Sequence, residues 1–185
     1  MGVPPIEPWQ NEHRIDVLLN NPTVRFRVEQ AAQSSSRPMT LQQFYAKSAA
    51  ALWVIPGMQV VALFPLAGLA GEQMWKALGI GVERTKSLSC PQPIGQVTVA
   101  LLCALARHGC PIQRTVQRDD GCFLETKVPS SWKAPGGTSA CIVTSKPGGT
   151  EIQIGMMISG VNFGFTVERR VSAILEEVRK YSESF

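Results

Sequence analysis

The chain has 185 residues and a net charge of +4, and only 17% of its side chains are charged, against about 25% in typical soluble domains. That length suits one domain, or a domain with an appendage, and can bury a core without disulfides. The excess positive charge is shared evenly between the two halves with no basic stripe, so nucleic-acid binding is not expected. Low charge beside 44% hydrophobic residues leaves two uses for the surface: a large dry partner contact, or contact with membrane.

Cysteine usage narrows the chemistry. There are five thiols (Cys90, Cys103, Cys110, Cys122 and Cys141), an odd number with no Cys-x-x-Cys pair, so neither a zinc ribbon nor a thioredoxin-like motif is present. Reduced, buried thiols acting as small hydrophobes are expected, which suits a reducing compartment. Residues 1–8 lack the basic and apolar regions of a cleavable leader, and none is expected.

In chain order, residues 4–8 read as extended because of their prolines. An apolar patch at 15–19 closes at Asn20-Asn21-Pro22. Residues 23–28 alternate, with Val24, Phe26 and Val28 on one side and Arg25 and Arg27 on the other. This is the pattern of a half-buried strand, although a short helix running on to Gln33 also fits. Ser34-Ser35-Ser36-Arg37-Pro38 is a break. Thr40 and Gln43 have capping-box spacing and predict a helix start.

The run 48–71 carries no charge, and its centre, 51–70, has Gln59 as its one strongly polar side chain. About 20 apolar residues suffice to cross a bilayer as a helix. Pro56, Gly57 and Pro65 break the run into short helices or one kinked one. Trp53 and Trp75 lie near its ends, as aromatics do at membrane interfaces. The side chains expected to make a membrane or partner contact are Trp53, Val54, Ile55, Val60, Val61, Leu63, Phe64, Leu66, Leu69 and Trp75.

Residues 83–91 read as a linker. Pro93 then suits a first helical turn, Ile94, Val97, Leu101, Ala104 and Leu105 form a stripe, and Gly109 is a natural stop after Arg107 and His108. Four strands are predicted at 112–118, 121–129, 138–145 and 150–158. Pro-Gly-Gly-Thr occurs at 135–138 and again at 147–150, which predicts two similar turns around one strand. A last amphipathic helix, capped by Thr166, carries Val167, Val171, Ile174, Leu175, Val178 and Tyr181 on one face.

Candidate chemistry is sparse. His108 and Cys110 are a histidine and a thiol close in sequence, but neighbours at a helix end seldom point at one site, so His108 is expected to cap or face solvent. Asp119-Asp120-Gly121 is a turn signal more than a cation site. No catalytic residue, metal ligand or cofactor is therefore expected. The loop 159–165, with Asn162, Phe163 and Phe165, reads either as a core plug or as a recognition loop presenting aromatics.

Two stretches carry a family likeness: Ala104-Leu105-Ala106-Arg107-His108-Gly109-Cys110 at the end of one helix, and Gly160-Val161-Asn162-Phe163-Gly164-Phe165 before another. Through them residues 97–181 resemble the kinase-associated C-terminal domain of some Ser/Thr kinases. That likeness implies its helix–sheet–helix topology and a contact with acidic phospholipids. The uncharged run has no counterpart in it.

The fold class expected is α+β: a helix, a four-stranded antiparallel meander and a helix in a two-layer sandwich (92–185), preceded by an apolar helical part (1–86). One sheet face would be covered by the two helices. The other, with polar and apolar sites mixed, would be wet or would meet a partner. The function expected is that of a non-enzymatic, membrane-associated accessory or scaffolding protein. It would act as a subunit of a larger assembly, with a protein partner and membrane lipid as its contacts. The alternative is a soluble binding module with 48–71 packed on its own sheet, and an enzyme of unknown chemistry is a third class.

Overall fold

The computed structural model describes residues 7–45, 85–130, 136–158 and 164–185. A 3-10 turn, Pro8–Asn11, is closed by Glu7, whose backbone N–H donates to Gln10 Oε1 at 2.7 Å. Helix α1 spans Ile15–Asn20 and α2 spans Pro22–Gln33. Asn21 separates them and caps α2: its Oδ1 accepts from the N–H groups of Thr23 (2.9 Å) and Val24 (3.2 Å), with Pro22 in the first turn.

The alternation at 23–28 is therefore helical, and the strand reading is overturned. Val24 and Val28 lie four apart on one buried face with Ala31 and Ala32, while Phe26 projects outward at 67% exposure. At Thr40 the capping box forms in both directions: Thr40 N–H donates to Gln43 Oε1 (2.9 Å) and Gln43 N–H to Thr40 Oγ1 (3.2 Å). Residues 41–45 are helical, with Phe44 buried. The run 48–71 lies outside the described residues.

A five-stranded antiparallel sheet follows, not four strands. Its strands are β1 (Thr85–Cys90), β2 (Ile112–Arg118), β3 (Gly121–Val128), β4 (Gly137–Lys146) and β5 (Gly149–Ile158), in the order β1-β5-β4-β3-β2. The four predicted strands are all present. The fifth, β1, falls where a linker was expected. It sits at an edge, takes its hydrogen bonds from β5, and is too polar to show a strand's apolar alternation. Its Lys86 reaches the helix side and donates to Glu168 Oε1 (3.0 Å) and Ser172 Oγ (2.9 Å).

The two Pro-Gly-Gly-Thr copies differ. Pro147-Gly148 is a two-residue hairpin loop, with Lys146 paired to Gly149 and Gly148 at φ +88°, the positive value that a type II turn requires. The earlier copy instead leads into a strand, with Gly137 already opposite Val128 in the ladder.

Helix α3 (Ile94–Arg107) is the centre of the molecule. A single stripe was expected to be apolar, but Val99, Ala100, Leu102, Cys103 and Ala106 are buried as well. The sheet covers one side, α4 (Gly164–Ser184) another, and α2 with the 3-10 turn the rest. A helix apolar all round is stable in water only when wrapped in this way. Helix α4 starts at Gly164, so Thr166 lies inside its first turn instead of capping it. Its buried face holds Val167, Val171, Ile174, Leu175 and Val178, as the periodicity predicts.

The wrapping is close. A Cβ on Gly95 would stand 2.1 Å from the carbonyl oxygen of Trp9 and 2.6 Å from that of Gln10. Trp9 meets Phe185 edge-on at 6.0 Å, and the Arg27 guanidinium lies 4.4 Å from the Phe185 ring centre and 5.7 Å from that of Trp9. Gln96 bridges the same seam, donating to the Ser182 carbonyl at 2.7 Å and accepting from Gln10 Nε2 at 3.3 Å. Gly95→Ala should cost about 1–3 kcal/mol through this overpacking. Urea unfolding followed by circular dichroism checks it, and an unchanged midpoint would mean that the 3-10 turn does not sit on α3.

Candidate functional site

Helix α3 ends in a two-bond reversal. Cys110 N–H donates to the Leu105 carbonyl (2.9 Å) and Gly109 N–H to that of Ala106 (3.0 Å), with Gly109 at φ +69°. This fixes the direction of the next residues. It sets Cys110 and His108 into a cleft of about 170 Å³ whose other walls come from four parts of the chain. Ser36 and Arg37 arrive from the segment after α2, Val128, Pro129 and Ser130 from the end of β3, and Arg170 and Ile174 from α4, with Met156 in β5.

The cleft is polar at its rim and apolar in its floor. Arg170 Nη1 donates to the Pro129 carbonyl at 3.4 Å. Among the described residues no carboxylate lines it, and the one acting on His108, Glu177, is drawn toward Arg107 (3.5 Å) and Lys180 (3.7 Å). Burial lowers the pKa of His108. Glu177 and a hydrogen bond with the backbone of Ala173 oppose that, and Arg107 adds to it. His108 Nε2 is buried with no hydrogen-bond partner among the described residues.

His108 is the C-cap residue of α3, as expected, and it lines one cleft together with Cys110. They do not form a nucleophilic pair. The Cys110 sulfur lies 3.7 Å from the backbone carbonyl of His108 and not against its ring. Burial pushes its thiol up to about 12, and Arg170 offsets this only in part. A nucleophilic cysteine needs the opposite shift. All five cysteines are free and buried, with Cys103, Cys122 and Cys141 also pushed up to about 12 by burial. Among the described residues no three His, Cys, Asp or Glu side chains come together to hold a metal.

Asp119-Asp120 forms the turn between β2 and β3. Asp120 faces Arg118 (Oδ1 to Nε 2.9 Å), which holds its carboxyl below the usual range.

The second feature is the sheet face turned away from α3 and α4. Val116, Phe123 and Ile142 lie side by side across β2, β3 and β4, with Ala140 beside them. None belongs to the cluster formed with the helices, yet their exposures are 7%, 2%, 4% and 1%. Arg114 lies over Phe123 at 5.8 Å and pairs with Glu125 at 2.8 Å.

The contact residues expected from sequence, Trp53, Val54, Ile55, Val60, Val61, Leu63, Phe64, Leu66, Leu69 and Trp75, lie outside the described residues, as do Asn162 and Phe163. Phe165 falls in the first turn of α4. Sequence reasoning did not single out Arg37, Ser130 or Arg170 as a group. Each stood in the sequence as a minor feature of a break, a loop or a basic pair, and only the fold brings them together. Among the described residues no helix is long and apolar enough to cross a membrane. No family model, no curated protein and no solved structure matches the chain.

The lowered pKa of His108 has a consequence for stability. The unfolded chain takes up the proton first as pH falls, so the stability contributed by the neutral ring is complete above its ordinary value of about 6.5. It declines as pH drops through that value toward the depressed folded one, and then levels off. His108→Gln should flatten this slope. Urea midpoints between about pH 7.5 and 5.5 measure it, and a slope as steep in the variant as in the parent would place its origin elsewhere.

Proposed function

We propose that this chain is a non-enzymatic binding or scaffolding module whose uncharged segment 48–71 packs on the outer face of its own sheet. The observation that carries this reading is the burial of Val116, Phe123, Ala140 and Ile142 on the face opposite α3 and α4. A phenylalanine on a bare sheet face keeps much of its ring in water, and Phe123 keeps 2%. The segment between Tyr45 and Thr85 is long, apolar and uncharged at its centre, and it ends where β1 joins the sheet edge. Its burial there would satisfy both surfaces. The neutral, buried thiols support a binding role over a nucleophilic one.

The second reading keeps the same folded body but gives 48–71 to a membrane, making the chain an accessory subunit anchored to a larger assembly. The length of the uncharged run favours it.

Fractionation of the expressed chain separates the two. Recovery in the soluble fraction, together with loss of folding in Val60→Asp or Leu63→Asp, is the outcome expected for self-packing. A carboxylate buried without a partner costs about 3–5 kcal/mol. Retention in the membrane pellet through carbonate, with release only by detergent, would overturn it in favour of the anchor. Aspartate variants that fold with unchanged urea midpoints would likewise remove 48–71 from the sheet.

A further inference from the structure

We propose that the cleft at the end of α3 binds a phosphate monoester, with its phosphate held by Arg37, Arg170 and the hydroxyls of Ser36 and Ser130, and its organic group against Met156 and Ile174. The inference is independent of what covers the outer sheet face. It rests on three features of the cleft.

Arg37 and Arg170 line one concave space, and among the described residues no carboxylate does. Arginine is the side chain best matched to phosphate oxygens, through paired N–H donors in a fixed fork. Donor number favours phosphate over carboxylate. Two guanidiniums and two hydroxyls match the three terminal oxygens of a phosphate monoester better than the two oxygens of a carboxylate. The apolar floor is of the kind that takes the body of a small ligand, with polar groups fixing its orientation.

The walls also argue for a built site. They come from segments far apart in sequence: the stretch after α2, the α3 terminus, the end of β3, and α4. The α3 terminus is held rigidly by its two-bond reversal, and Arg170 is steadied by the Pro129 carbonyl. The negative end of the α3 dipole opposes an anion, so the two guanidiniums must outweigh it. The dependence on both of them is therefore the decisive property.

Phenyl phosphate is the probe, titrated into the full chain by calorimetry, with inorganic phosphate and benzoate as comparisons. Saturable binding of phenyl phosphate is expected, tighter than that of either comparison. Arg37→Gln and Arg170→Gln should each weaken it about tenfold or more, as loss of a charge-assisted contact implies. Arg37 is exposed, so Arg37→Gln should keep the fold, and unchanged circular dichroism and urea midpoint verify this. Ser130→Ala should weaken binding by a smaller factor.

Vesicles with and without phosphatidic acid separate a lipid source of the monoester from a soluble one. Co-sedimentation that needs phosphatidic acid and both arginines, with phenyl phosphate competing, assigns the monoester to lipid. Saturable phenyl phosphate binding without co-sedimentation assigns it to a soluble molecule. The proposal is overturned if phenyl phosphate does not saturate, if benzoate binds as tightly, or if folded Arg37→Gln binds with parental affinity.

Discussion

The fold depends on one helix that shows almost no side to water. Helix α3 is apolar around nearly its whole circumference, with Gln96 and Arg107 as the polar exceptions, and it is stable only because a sheet, a second helix and an N-terminal layer each cover part of it. Its one buried polar side chain within the apolar wall, Thr98, is satisfied internally by donating to the Ile94 carbonyl at 2.7 Å. Gly95 marks where the wrapping is tightest: the backbone of Trp9 and Gln10 comes so near that no side chain fits. The N-terminal layer is thus a structural part of the sandwich, and Arg27, Trp9 and Phe185 join it to the far end of α4.

The same burial sets the chemistry. Sulfur atoms enclosed by aliphatic side chains cannot readily become thiolates, so the wrapping that stabilises the molecule also makes its cysteines unreactive. Several polar side chains gather where the layers diverge at the end of α3. There the helix stops, the N-terminal layer turns away at Ser36 and Arg37, and β3 ends at Val128. The cleft is left between elements that are rigid for other reasons, which is a favourable way to hold side chains in a fixed arrangement.

The two faces of the sheet are built differently. On the α3 and α4 side, Cys122, Leu124, Cys141, Val143, Ile152 and Ile154 join the main core. On the other side the apolar residues are few and central, and they are bordered by Arg114, Glu125, Thr144 and Gln153. The outer face is therefore a narrow apolar strip within polar margins.

Periodicity in the sequence already determined the helices at α3 and α4, the four strands from β2 to β5 and the turn residues between them, because each depends on contacts a few residues apart. The Thr40 capping box and the Gly109 stop were legible for the same reason. The edge strand β1 was not, because a strand that borrows its hydrogen bonds from a neighbour needs no apolar alternation of its own. The segment 23–28 was ambiguous because Val24 and Val28 are spaced two turns of a strand and one turn of a helix apart alike, and the capping by Asn21 decided it. The burial of α3 on every side and the meeting of Arg37, His108 and Arg170 were decided by tertiary structure alone. Both join residues from distant parts of the chain, and no local pattern records which distant surfaces will meet.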